Sequence, residues 1–336
     1  MTAHTFTVKA APGRIRLDVF LAAELAPEYS RSRVARIIRA GGVSVNDAAA
    51  ADPAHPLRPG DRVAVAPAPA IETLPIAAAS LEIPALTILY TDDEVIVVDK
   101  PAGMVVHAAP GSSGPTLVDA LLQQFPELAA MAEPDGVLRP GIVHRLDKQT
   151  SGVMVVARTP YARMSLSRQF KDRTVRKVYL AAVRGIVKRD EFEVSRPLGR
   201  HPTERKRMST HSRSPRDALT RFSVLRRFEP AGAGGLASTL VRAIPATGRT
   251  HQIRVHLASV GHPCLGDPLY GRAAEAGAGP FDRQALHALG LEFAHPRSAA
   301  RLRLTALPPA DFVAYLTARE APPDSRVIAD WLGRAG

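Results

Sequence analysis

Between Gly141 and Val156 the chain reads GIVHRLDKQTSGVMVV. An apolar run breaks at His144-Arg145-Leu146-Asp147-Lys148, and a second apolar run is entered through Thr150-Ser151-Gly152. An Asp followed by Thr, Ser and Gly is ordinary turn chemistry, because its short side chain bonds nearby backbone groups. The setting points further. His144 and Arg145 precede the carboxylate in a basic stretch, so Asp147 would meet an incoming phosphate chain, with His144, Arg145 and Lys148 against that backbone. Apolar runs on both sides imply a rigid, buried support for the loop, which suits a reactive group. A carboxylate held in this way can serve as a nucleophile.

The supporting elements read mainly as strands. ILYTDDEVIVVDKP has the pattern strand, turn, strand, ended by Pro101; GVMVVAR, KVYLAAVRG and STLVRAI are further strands. YARMSLSRQFKD has the helical period, and THQIRVHLASVG reads as a helix with Thr250 as its N-cap. Strands that outnumber helices without regular βαβ alternation define an α+β domain, here over residues 86–320. Residues 67–85 are rich in Pro and Ala and read as a linker. Before them, residues 14–66 form a small α/β module. RLDVFLAAELA places Leu17, Phe20, Leu21 and Leu25 on one helical face. A second helix, N-capped by Ser30 and ended by Gly41-Gly42, carries Val34, Ile37 and Ile38 on one side and Arg33, Arg36 and Arg39 on another. VSVN and PGDRVAVA supply its strands.

The 336 residues are 46% hydrophobic, enough for a sizeable core, and carry a net charge of +12. The charge is concentrated. Arg139 to Arg216 holds 20 Lys/Arg against 6 Asp/Glu, so the remainder is close to neutral. Within it, Arg196 to Arg216 holds seven Lys/Arg and one Glu and reads as an exposed basic loop. A basic surface of this kind attracts a polyanion. Cys264 is the single cysteine, so no disulfide framework or thiolate metal site can be built within the chain. It lies between Pro and Leu and is expected to be buried. His251, His256 and His262 lack zinc-site spacing and a completing carboxylate, and PGSSGP lacks the ending of a phosphate-binding loop. No apolar run approaches the roughly 18 residues of a membrane span, and the first residues lack a signal-peptide core. The expectation is a monomeric cytoplasmic protein with no metal, nucleotide cofactor or membrane anchor.

Five segments in order resemble the RluA/RluD family of pseudouridine synthases: DKPAGMVVH (from Asp99), the RLDKQTSG stretch itself, RKVYLAAVRG (from Arg176), GRTHQIRVHLASVGHPCLGDPLYG (from Gly248) and LHALGLEFAHP (from Leu286). The first module, by its order helix, basic helix, V-x-V-N and P-G-D-x-V, resembles the RNA-binding domain named after ribosomal protein S-four. The resemblance implies a mixed, mainly antiparallel sheet with flanking helices. It implies isomerisation of uridine in RNA, in which the C1′–N1 bond breaks, C1′–C5 forms and a proton leaves C5, so no cofactor is needed. Asp147 becomes the catalytic carboxylate, whether by attack on the sugar, attack on the base or proton removal from the sugar. Arg254 is implied as the fixed charge that keeps it ionised, gripping it with two parallel hydrogen bonds. Tyr179 is implied to stack on the target base. Arg249, His251 and Gln252 in the same signature join His144, Arg145, Lys148 and the arginine stripe as RNA contacts.

An accessory module of this type points to large-subunit ribosomal RNA, with transfer RNA as the alternative. Two other classes compete: a non-catalytic RNA-binding assembly factor, against which an intact Asp147, Arg254 and Tyr179 argues, and an RNA hydrolase, which the lack of paired carboxylates for metal ions disfavours.

Overall fold

A computed structural model describes residues 4–9, 15–25, 29, 31–66, 83–107, 114–131, 140–204, 206–230, 236–271, 280–321 and 328. Ser30, most of the expected linker and the side chains of Arg33 and Arg36 lie outside the described residues. The chain divides into two compact units, the second beginning at Leu81.

In the first unit, β1 (His4–Thr7), β2 (Ile15–Arg16), α1 (Leu17–Glu24) and α2 (Arg31–Arg39) are followed by β3 (Val43–Val45), β4 (Ala48–Ala49), β5 (Pro56–Leu57) and β6 (Arg62–Val65). The sheet order is β1-β6-β3-β4, and β2 pairs β5. The apolar stripe of α1 (Leu17, Phe20, Leu21, Leu25) is buried as its period requires, with Val34, Ile37 and Ile38 of α2 and Val63 and Val65 of β6. Arg39 stays exposed. The β3–β4 turn is Asn46-Asp47, both at positive φ (50° and 64°), the conformation a two-residue hairpin needs. Asp18 is buried (4% exposed) and takes hydrogen bonds from Arg16 and Arg31.

The second unit runs β7 (Thr87–Thr91), β8 (Val95–Lys100), α3 (Leu117–Gln124), β9 (Ser151–Ala157), α4 (Pro160–Lys171), β10 (Arg176–Arg184), β11 (Glu191–Ser195), β12 (Gly199–Arg200) and β13 (Met208–Ser209). It continues through β14 (Leu219–Phe228), β15 (Ser238–Pro245), α5 (Gln252–Ser259), β16 (Leu286–Ala294), β17 (Arg301–Thr305) and α6 (Ala310–Thr317). Nine strands form one sheet, ordered β11-β14-β15-β10-β16-β9-β8-β7, with β17 also on β16. Every pairing is antiparallel except β16 with β9. The α+β expectation holds, and β12–β13 make the basic segment a small hairpin rather than a plain loop. The continuous apolar runs at Val95–Val98 and Val153–Ala157 are buried on both faces, which is why they show no alternation. The parallel pairing brings β16 against β9 at Gly152. A Cβ there would sit 2.2 Å from the Ala288 carbonyl oxygen, so only glycine admits this approach.

Candidate active site

Asp147 lies on the loop that feeds β9, and three sets of buried polar contacts brace that loop. The Thr150 amide donates to the Asp147 carbonyl (3.0 Å), closing the expected turn. Lys100, at the end of β8, is fully buried. Its Nζ donates to the carbonyls of Pro101 (2.7 Å), Met104 (2.9 Å) and Lys148 (3.3 Å), and the Gly103 amide also donates to Lys148 (2.9 Å). Burial lowers the Lys100 ammonium to about 7, against the pull of the Asp147 carboxylate. From the other side Arg283 donates to the Gln149 carbonyl (3.0 Å) while its fork grips Asp311 of α6 (2.7 and 2.9 Å).

Arg254 reaches Asp147 from α5. It is 3% exposed, and its Nη1 donates to Asp147 Oδ2 at 3.0 Å. The expected two-pronged grip falls elsewhere. Nε and Nη2 donate in parallel to Asp267 at 2.7 and 2.8 Å, and Asp147 receives a single bond, from Nη1. The carboxylate of Asp267 has no exposed side-chain surface and also accepts the amides of Leu269 and Tyr270 (2.9 and 3.1 Å). Burial opposes the Arg254 charge, but Asp267 and then Asp147 more than offset it, so its pKa stays above the ordinary guanidinium value.

Tyr179 occurs at a β-bulge. The register between β10 and β16 shifts between Val178 and Tyr179, a device that re-aims a strand side chain. Burial first, then the Asp147 carboxylate, raise its hydroxyl well above the usual phenol range. It is therefore protonated at neutral pH and does not act as a base there.

Asp147, Tyr179 and Arg254 line a cleft of about 430 Å³ together with Arg145, Lys171, Arg173, Lys177, Arg249 and His251. Arg145 and Lys148 are exposed, as an RNA contact requires, and Arg249 is half-buried with its Nε on the Asp217 carbonyl (3.1 Å). Two expected RNA contacts, Gln252 and His144, also make bonds inside the protein. Gln252 is 4% exposed. Its Oε1 accepts from the Thr247 hydroxyl (2.7 Å) and the Arg249 amide (3.0 Å), and its Nε2 donates to Leu219 and Thr220 (3.0 Å each). With all its polar capacity committed, it locks the start of α5. Thr250 is not the N-cap: the cap residue is His251, at φ 56° and without a side-chain cap bond, and Gln252 Oε1 takes the Arg249 amide just before it. His144 stacks on Phe170 (4.5 Å), and its Nε2 accepts the Val155 amide at 3.0 Å. Burial lowers its pKa to about 3, so it presents a neutral ring to the cleft and not a cation.

Sequence reasoning passed over Lys100, Asp267, Tyr270 and Arg283. The first three stand inside quoted motifs, so a signal existed; their roles depend on partners brought together by folding. Among the described residues no group of three His, Cys, Asp or Glu could hold a metal ion, and Cys264 is buried with burial raising its thiol pKa. No described helix is long and apolar enough to cross a membrane.

A carboxylate bonded to a buried guanidinium, in a cleft lined with cations and with the rings of Tyr179 and Phe170, suits an enzyme that works on a polyanion. The comparisons give that class its chemistry. The family profile described as RNA pseudouridylate synthase matches residues 94–259, and that of the S4 domain matches residues 15–63. The chain is 43% identical to the ribosomal large subunit pseudouridine synthase D of Xanthomonas campestris pv. campestris, over 92% of this chain and 90% of that one. It is also 43% identical to an uncharacterized RNA pseudouridine synthase of Aquifex aeolicus, over 76% and 77%. Among solved structures, human RNA pseudouridylate synthase domain containing 1 superimposes with a TM-score of 0.57 at 29% identity, covering 74% of this chain and 95% of that one. The chain belongs to the RNA pseudouridine synthase family. It is an isomerase that acts on RNA, and its N-terminal unit is an RNA-binding S4 domain.

Proposed function

We propose that this enzyme isomerises uridines of large-subunit ribosomal RNA, with Asp147 as the catalytic carboxylate, Arg254 as its fixed counter-charge and Tyr179 as the platform for the flipped base. The observation that carries the site assignment is the 3.0 Å bond from Arg254 Nη1 to Asp147 Oδ2 inside the cationic cleft. Extracting a base from its stack costs on the order of a few kcal/mol, which aromatic stacking and cation contacts to the backbone offset. The bond C1′–N1 breaks, the uracil turns, C1′–C5 forms, and the proton displaced from C5 leaves to solvent, so the atoms balance without a cofactor. Sugar attack, base attack and proton removal by Asp147 are all compatible with this geometry. Exposed Arg200, Lys206, Arg213 and Arg216 of the basic hairpin supply phosphate contacts. The named large-subunit relative, the S4 domain and the basic surface support ribosomal RNA as substrate. The whole cleft is built from one unit, which supports action as a monomer, and ribosomal RNA as the substrate supports a cytoplasmic setting.

The test is tritium release from unmodified ribosomal RNA labelled at uracil C5. Wild type is expected to release tritium, and Asp147→Asn to release none while keeping its fold. Release by both would remove Asp147 from the chemistry; release from transfer RNA alone would move the substrate.

A further inference from the structure

Asp147 has two oxygens, and Arg254 uses one. The other, Oδ1, lies 3.9 Å from His251 Nε2. That gap is too long for a hydrogen bond, yet it has a definite chemical character. The His251 ring is held on its far side by Tyr270, whose hydroxyl is 2.8 Å from Nδ1. The same hydroxyl accepts the Met208 amide of the basic hairpin at 2.8 Å. Among the described residues Nδ1 is the one remaining acceptor within its reach, so the Tyr270 proton goes to Nδ1. Nδ1 is then an acceptor, and the ring carries its hydrogen on Nε2. A donor N–H and a free carboxylate oxygen thus face each other across 3.9 Å in the cleft, and the donor's residue is held at a φ of 56° that non-glycine residues seldom adopt.

One atom fits both. An oxygen at about 2.8 Å from each subtends an angle of about 90°, within the range of a hydroxyl that accepts one bond and donates another. Within an RNA strand the 3′ and 5′ oxygens are esterified and the uracil has no hydroxyl. The 2′-hydroxyl is therefore the sugar group that can both accept and donate, and it is attached next to C1′, where bonds change. We propose that His251 Nε2 and Asp147 Oδ1 together seat the 2′-hydroxyl of the nucleotide being isomerised, and that Tyr270 is the positioning residue that fixes the His251 ring for this task. The proposal rests on the synthase reading above. It makes the site selective for ribose at the target, and it ties that selectivity to the docking of the β12–β13 hairpin, whose backbone orients the Tyr270 hydroxyl.

The experiment uses the full chain and a ribosomal RNA fragment whose target uridine has been mapped, made with uridine or with 2′-deoxyuridine at that one position. Single-turnover pseudouridine formation is followed for wild type, His251→Phe, His251→Gln and Tyr270→Phe. A site built to bond a hydroxyl rejects an analogue lacking it strongly, so wild type should prefer ribose by about 100-fold or more. In His251→Phe that preference should fall below about tenfold. His251→Gln, which keeps an N–H, should retain most of it, and Tyr270→Phe should lie between. Circular dichroism confirms folding of each variant, and should His251→Phe fail to fold, Tyr270→Phe carries the comparison. A ribose preference in wild type below about threefold, or one unchanged in the folded variants, overturns the proposal and leaves the synthase reading standing. No turnover by wild type on any ribose substrate sinks that reading and the proposal with it.

Discussion

Each unit of this protein contains a buried charge shared between two opposite partners, and the two arrangements are inverted. In the S4 domain the buried member is the anion: Asp18, 4% exposed, lies between Arg16 and Arg31, whose side chains are 51% and 58% exposed. In the catalytic unit the shared member is the cation: Arg254, 3% exposed, lies between Asp147 at the cleft and the equally buried Asp267. The surface arginines around Asp18 can exchange their partner for water, and the Asp18 carboxyl is held below its usual range chiefly by its hydrogen bond from Arg16. The Arg254 fork cannot make that exchange. Asp267 takes one N–H each from Nε and Nη2 and fixes the plane, so Nη1 is aimed at Asp147 by geometry that Asp147 does not itself supply. A staple built around a buried anion tolerates change; a pointer built around a buried cation does not.

Several substitutions test that contrast. Asp147→Asn has the largest expected effect on chemistry, loss of tritium release to background with little change in melting temperature. Next is Asp267→Asn. It never touches RNA in this scheme, yet it leaves a buried guanidinium half-unpaired and should cost roughly 3–5 kcal/mol of stability, read in urea melts, together with about 100-fold or more in turnover. A variant that loses activity but keeps wild-type stability would mean that Asp267 does not anchor the fork. Arg254→Lys keeps the charge but not the planar fork, and should lose most activity, on the order of 100-fold; near-normal turnover would show that charge alone suffices.

A smaller effect concerns pH. His144 titrates near 6.5 when unfolded and about 3 when folded. Between those values the unfolded chain binds a proton that the folded chain refuses, so stability falls as pH drops through that window. His144→Gln should flatten the acid slope measured from pH 7 to 4 by up to one proton, about 1.4 kcal/mol per pH unit. His287, lowered to about 4 chiefly by burial, leaves a residual slope of the same sign. The smallest effect belongs to the other staple. Asp18→Asn should cost the S4 domain at most about 1 kcal/mol, less in high salt, and leave turnover on saturating RNA nearly unchanged.

The sequence exposes contiguous features and hides convergent ones. Buried strands show as apolar runs, α1 and α2 as periodic stripes, and Asp147 as a polar break between two such runs. Arg254 and Tyr179 are legible only through resemblance, since one looks like a surface helix arginine and the other like a strand tyrosine. The second claim on Arg254 was not legible, because nothing in the order of residues shows that Asp267 folds back onto the guanidinium more completely than Asp147 does. Lys100 stands inside a quoted motif, but nothing in its sequence neighbours shows that its ammonium is buried against three carbonyls. Gln252 and His144 sit in polar stretches beside basic residues, and only their neighbours in space show that their nitrogens and oxygens are already committed.

The brace of Arg283 and Asp311 also has a consequence in time. Ribosomes deliver the chain from its N-terminus, so Asp147 leaves the exit tunnel well before either residue exists. During that interval the Gln149 carbonyl has no guanidinium to hold it, and β16, which pairs with β9 beside the loop, has not been made. The S4 domain, with its own sheet and core, can fold and engage RNA from the start. The nascent protein therefore acquires RNA affinity before the Asp147 loop is rigidly held, and isomerisation awaits nearly complete synthesis of the catalytic unit.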